Sequence, residues 1–160
     1  MEDLDATDLK ILQMLQADAR LTHKQLAAAL DLTITPVFER VKKLERRGFI
    51  RGYVALLEPQ KVGKGLIVFL TIRLTQHKSE VLQSLREEVM RLPEVMECYH
   101  IAGEEDYLLK VMVRDIAAYE QFLTNKLTKI AHISHVKSSF VMSVVKHTTA
   151  FTFSSENFKS

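Results

Sequence analysis

The chain has 160 residues, of which 47% are hydrophobic and 26% charged, a balance that supports a folded core and argues against the fibrous and disordered classes. No apolar stretch approaches the ~20 residues of a membrane helix, and no basic segment leads into an apolar run, so the expectation is a cytoplasmic protein with no signal peptide and no membrane partner. The formal net charge is only +2 and Cys98 is the single cysteine, which excludes an intrachain disulfide and makes the distribution of charge more telling than its sum.

The first helix is expected to start at Asp5, an N-cap with Asp8 three residues on, both carboxylates lying where a helix N-terminus favours negative charge. Leu4 and Leu9 are spaced as a hydrophobic staple, and Leu9, Ile11, Leu12 and Leu15 carry the helical period to about Ala17. Thr22 and Gln25 form a capping box that opens a second helix through Leu26, Ala27 and Leu30. Asp31-Leu32 leaves only a tight turn. Thr33 is the next N-cap, Pro36 falls in the first turn, where its missing N–H is harmless, and Val37, Val41 and Leu44 make an apolar stripe. Gly48 stops this third helix, and residues 50–56 read as a strand, the wing.

Charge is concentrated on the third helix and just beyond it: Arg40, Lys42, Lys43, Arg46, Arg47 and Arg51 are offset by Glu39 and Glu45 alone, six basic against two acidic residues. Two short helices around a tight turn, behind a supporting helix, are the helix-turn-helix pattern, whose last helix enters the major groove of double-stranded DNA. Thr33, Thr35, Pro36, Phe38 and Glu39 would then lie near base edges, and Arg40, Lys42, Lys43, Arg46 and Arg47 near phosphates.

Residues 58–65 contain a proline and two glycines and read as a linker. Behind it, residues 66–75 read as a strand with Val68, Leu70, Ile72 and Leu74 on one face. Ser79 caps a helix that Pro93 terminates, residues 95–102 and 107–113 form a hairpin around Gly103, Asp115 caps a second helix, and residues 136–145 form a last strand. The order βαββαβ is the ferredoxin-like unit, with both helices on one sheet face. The fold class is therefore α+β, with domains at 1–57, 58–65 (linker) and 66–147, and a polar tail at 148–160. Phe69, Val111, Val113, Phe140 and Met142 compete for the uncovered face, which a second copy of the chain would cover in a symmetric dimer.

Five stretches stand in order and at fixed spacing: Leu4-Asp5-x-x-Asp8-x-x-Ile11-Leu12; Thr35-Pro36-x-x-Glu39-Arg40-Val41-x-x-Leu44-Glu45-Arg46-x-Gly48-Phe49-Ile50; Gly52-Tyr53 with Ala55-Leu56-Leu57; Glu97-Cys98; and Gly103-x-x-Asp106-Tyr107-Leu108-Leu109-Lys110. On these the chain resembles the Lrp/AsnC family of transcription factors across about residues 4–147. The resemblance implies a sequence-specific regulator with an N-terminal winged helix-turn-helix and a C-terminal ferredoxin-like (RAM) domain. It further implies a homodimer that assembles into tetramers or octamers, and an amino-acid effector bound between dimers. Carried over, the effector residues are His100, Ile101, Ala102, Gly103, Glu104, Glu105 and Asp106, with Val141 on the last strand as a neighbour. The carboxylates at 104 and 105, and the tail, depart from the family pattern.

An amino acid presents an ammonium and a carboxylate. Gly103 lets a turn offer N–H groups to the carboxylate and Asp106 can pair with the ammonium; equally, Gly103 can simply make the hairpin and Asp106 satisfy local backbone donors. Cys98 and His100 share a strand face, but with His132 or His135 they match no zinc spacing, so neither metal nor cofactor is expected. Haem-biosynthesis decarboxylases resembling this family keep an enzyme as an alternative, but such enzymes need no basic recognition helix, and the reading is a non-enzyme. An RNA-binding or architectural role is the other alternative.

Overall fold

A computed structural model describes residues 4–153. It divides into two compact units: one runs to Leu56 and takes up the chain again from Lys146, and the other is Leu57–Val145.

The first unit holds three helices, α1 (Ala6–Ala17), α2 (His23–Leu30) and α3 (Ile34–Arg46). The Asp5 carboxylate accepts from the Asp8 N–H while the Asp8 side chain accepts from the Asp5 N–H, and Thr22 and Gln25 exchange the same two bonds at α2. Each box satisfies backbone donors that a helix start leaves without intrahelical partners. Thr33 stands in the N-cap position of α3, but its hydroxyl makes no capping bond. Asp31 ends α2 in the left-handed region at φ 55°, which turns the chain within a few residues. Ile11, Leu12, Leu15, Leu26, Ala27, Val37, Val41 and Leu44 form the core, with Leu4, Ile50 and Phe153 packed on its edge.

Residues 50–56 carry no strand, which corrects the expected wing ladder. An extended segment needs a neighbour for its backbone groups, and among the described residues none pairs with this one; residues 51–57 are exposed. The segment is instead pinned by one side chain: the Tyr53 hydroxyl donates to Glu45 Oε1 at 3.1 Å. Burial, then the bond to Glu45 and the carboxylate's charge, push the Tyr53 phenol up to about 12.

The second unit is a βαββαβ sandwich. Strands β1 (Leu66–Leu74), β2 (Val95–His100), β3 (Tyr107–Val113) and β4 (Ile133–Phe140) lie in the order β2-β3-β1-β4, all antiparallel. Helices α4 (Ser79–Met90) and α5 (Ile116–Asn125) cover one face, packing Val81, Leu85, Val89, Tyr119 and Phe122 onto Val68, Leu70, Ile72, Leu74, Tyr107, Leu109, Val111 and Val113. Asp115 caps α5 through the Ala118 N–H, whereas at α4 the cap position is Lys78 rather than Ser79 and has no side-chain bond.

Two other expectations shift. Val111 and Val113 point into the helix-covered core, because β3 pairs with β1 in the register Val68↔Val111 and Leu66↔Val113. Phe140 follows the same parity and sets its ring edge-on to Tyr119 at 5.3 Å. That leaves Ile67, Phe69, Thr71, Leu108 and Lys110 on the opposite face by strand alternation. The last strand also starts and stops earlier than 136–145: Ile133 already pairs with Leu74 across a bulge, and past Phe140 β1 supplies only the Ile67 carbonyl, which accepts from the Val141 N–H.

Candidate DNA-reading and effector sites

The outward side of α3 carries the residues expected at DNA. Thr35, Pro36, Phe38, Glu39, Lys42, Lys43 and Arg46 are exposed, as is Thr33 ahead of the helix, while Val37, Val41 and Leu44 turn inward. Ile34, half exposed at the helix start, joins this surface. It was passed over in the sequence because it lies off the core stripe, and that very displacement is what marks it. Phe38 meets the His23 ring of α2 edge-on at 5.2 Å and has Lys42 Nζ 5.9 Å from its centroid. Lys42 also donates to Glu45 at 3.0 Å. That bond, ahead of the opposing effect of burial, holds Glu45 below the usual carboxylate range. Arg47 lies over the Phe49 ring at 5.2 Å.

Arg40 Nη1 donates to both Asp5 and Asp8, the latter at 2.7 Å, and so ties α3 to the start of α1. The bond to Asp8, then that to Asp5, raises its pKa further.

In the second unit the β2–β3 turn and the end of β1 enclose a cleft of about 530 Å³ lined by Arg73, Leu74, His77, Gly103, Glu104 and Asp106. Gly103 has φ +151°, a conformation other residues rarely adopt, which lets the chain reverse here. Asp106 organises the cleft: Oδ2 accepts from the Leu74 N–H and Oδ1 lies against His77 Nε2, each at 2.7 Å. Burial alone would raise its pKa. The Leu74 bond, the His77 bond and charge, and the His100 charge outweigh burial and hold it low. Arg73 Nε donates to the Glu104 carbonyl at 2.9 Å, and its Nη2 lies 3.6 Å from Glu105. The Ile101 N–H donates to the Asp106 carbonyl, the His100 ring stacks on Tyr107 at 4.9 Å, and Ala102 is exposed.

Gly103, Glu104 and Asp106 thus line the cleft, with His100, Ile101, Ala102 and Glu105 around the same turn. Within one chain, Val141 stands apart from this cleft. It is bonded to Ile67, five positions along β1 from the Ile72 carbonyl that receives the Asp106 N–H, roughly 16 Å at ~3.3 Å per residue. Arg73, Leu74 and His77 were missed. The antiparallel register that places Tyr107 beside Ile72 was the signal that could have found them. Among the described residues no three His, Cys, Asp or Glu side chains gather as a metal site, and Cys98 is exposed.

A helix-turn-helix unit with a basic recognition helix, followed by a βαββαβ ligand domain, defines a DNA-binding regulator. Comparison with known proteins narrows the class. Residues 4–51 match the winged helix-turn-helix DNA-binding family, and residues 67–151 the Lrp/AsnC ligand binding domain. The chain is 39% identical to the Bkd operon transcriptional regulator of Pseudomonas aeruginosa, over 91% of this chain and 95% of that one. It is also 39% identical to the leucine-responsive regulatory protein of Escherichia coli, over 91% of this chain and 88% of that one. Among solved structures, a transcriptional regulator of Neisseria meningitidis in complex with L-Met superimposes with a TM-score of 0.88 at 37% identity, covering 93% of this chain and 96% of that one. The chain belongs to the Lrp/AsnC family and is a DNA-binding transcription regulator with a ligand-binding domain.

Proposed function

We propose that this regulator reads DNA with the exposed side of α3 and answers to a free amino acid bound at the Gly103 turn. Thr33, Thr35, Pro36, Phe38 and Glu39, with Ile34, face base edges. Lys43, Arg46 and Arg47, with Lys42 in a lesser part, hold phosphates, and Arg40 keeps α3 on α1. The observation that carries the reading is the separation of faces on α3, an apolar stripe inward and a basic, hydroxyl-bearing surface outward. The effector carboxylate meets N–H groups of the turn between Ala102 and Glu105. The ammonium meets Asp106 Oδ1 in exchange for His77, or the Glu104 carboxylate. One chain leaves this cleft wide open, and a second copy closes it, in a homodimer that builds tetramers or octamers with Val141 supplied from a neighbouring copy. The chain works in the cytoplasm, has no catalytic role and needs no cofactor.

Protection mapping on the DNA upstream of its own gene, with and without a pool of amino acids, tests this. The expected result is a footprint of half-sites spaced by whole helical turns of about 10 bp, changed by one amino acid of the pool. Equal affinity for random duplexes would overturn sequence-specific reading, and a footprint indifferent to every amino acid would overturn the effector assignment.

A further inference from the structure

After β4 the chain returns to the reading head. Residues 146–153 group with the three-helix unit rather than with the unit they leave. The attachment is specific. Gln16, in the last turn of α1, accepts the Phe151 N–H on Oε1 at 2.7 Å and donates from Nε2 to the Phe151 carbonyl at 3.2 Å. One side-chain amide thereby occupies both backbone groups of one residue, as a neighbouring strand would. Two residues on, Phe153 packs against the core made by α1, α2 and α3, and before it Thr148 Oγ1 accepts the Ala150 N–H at 3.1 Å. The Phe151 side chain itself is exposed, so the grip is made by its backbone and by Phe153.

We propose that residues 148–153 are an intramolecular ligand of the reading head, seated on Gln16 and the core edge beneath Phe153, and that its docking favours the DNA-competent packing of α1 against α3. A segment that binds the folded head and not the unfolded one stabilises the head by mass action, and tethering keeps its local concentration high. α1 is the helix through which this bears on DNA, because Asp5 and Asp8 at its other end hold Arg40 of α3. The segment also makes a second covalent connection between the two units, alongside the one that enters at Leu57. Its effect on DNA rests on the reading of α3 given above; its effect on the head does not.

The test uses the full chain and the variants Gln16→Ala, Phe151→Pro, Phe153→Ala and the Gln16→Ala/Phe151→Pro pair. Proline removes the N–H that Gln16 accepts. Hydrogen exchange is followed in peptides from α1 and, as a control, from α4. Each single change should speed exchange in α1 by about three- to tenfold and leave α4 unchanged, and the pair should do no more than the stronger single, because both remove one contact. Affinity for the footprinted duplex should fall by a similar factor. Wild-type exchange in the Phe151→Pro and Phe153→Ala chains, additive effects in the pair, or equal acceleration in α4 would each overturn the proposal. If no duplex is bound at all, the reading of α3 fails while the exchange data still decide whether the segment is a ligand of the head.

Discussion

Arg40 of α3 reaches Asp8 of α1, with Nη1 2.7 Å from Oδ1 and the Asp8 side chain only 3% exposed. The pair lies 32 residues apart in sequence and fixes the recognition helix on the supporting helix. A buried carboxylate without its cation keeps the desolvation cost and loses the compensation. Arg40→Ala should therefore lower the stability of the reading head by about 1–3 kcal/mol, read by urea denaturation. Combining it with Asp8→Asn should cost clearly less than the sum of the two. The salt dependence of DNA binding should keep its slope. A slope reduced by one, with stability unchanged, would return Arg40 to the phosphate contacts.

Lys43 and Arg46 are the exposed cations in the last turn of α3. Replacing either by Ala should weaken binding to all duplexes alike and flatten the plot of log affinity against log salt by about one. Lys42→Ala should do less, because Lys42 is already held 3.0 Å from Glu45. Affinities measured from low to moderate salt decide the order. A larger slope change for Lys42 than for Lys43 would put the phosphates on the other flank of the helix.

The parts of this protein that the sequence makes legible are those set by contacts three or four residues apart. The boxes at Asp5/Asp8 and Thr22/Gln25, the cap at Asp115 and the inward stripe of α3 all follow from local spacing. Alternation likewise identifies β1, because Val68, Leu70, Ile72 and Leu74 share one buried face. What escapes a reading of the chain is pairing at long range. Arg40 counts as one more cation until Asp8 is seen beside it. Val111 and Val113 have no assignable face until β3 is in register with β1. His77 enters the cleft only because the end of β1 lies by the β2–β3 turn. The strand expected at residues 50–56 is absent for a related reason, since alternation promises a strand only where a ladder partner exists. Phe153, in a tail with no helical or strand period, gives no sequence sign that it packs on the head.

Glu39 and Phe38 are exposed side by side in the first half of α3. A carboxylate at a base edge accepts from cytosine N4 and rejects bases that offer only acceptors. Glu39→Gln should change the preferred base at one position of each half-site, by about 1–3 kcal/mol of discrimination, while total affinity changes little. Selection from a randomised duplex pool, sequenced for wild type and variant, reads this directly. Identical preferred sequences would leave Glu39 as a solvent-facing residue with no role in reading.

Asp106 carries two separable roles, and pH distinguishes them. Its native pKa lies below the ordinary 3.8 because the Leu74 and His77 bonds and the nearby imidazole charges outweigh burial. A depressed acid contributes stability that is fully present above the unfolded value and is lost as pH falls through the native one. Acidification through and below 3.8 should therefore destabilise wild type more than Asp106→Asn and narrow the gap between them. Thermal unfolding of both proteins across this range checks the sign, and a gap that widens on acidification would contradict it. Effector binding is the second role. If the ligand ammonium displaces His77 from Oδ1, Asp106→Asn should weaken the amino acid by roughly 10- to 100-fold, the loss of a charge-assisted bond worth about 1.5–3 kcal/mol. DNA affinity without effector should stay within about twofold, since the variant keeps the Leu74 bond and its side chain lies in the other unit from α3. Calorimetric titration of the amino acid that alters the footprint reads the first effect, and a duplex-binding curve the second. Undiminished effector affinity together with the altered acid profile would make Asp106 purely the residue that ties the Gly103 turn to β1, with the ammonium falling to Glu104.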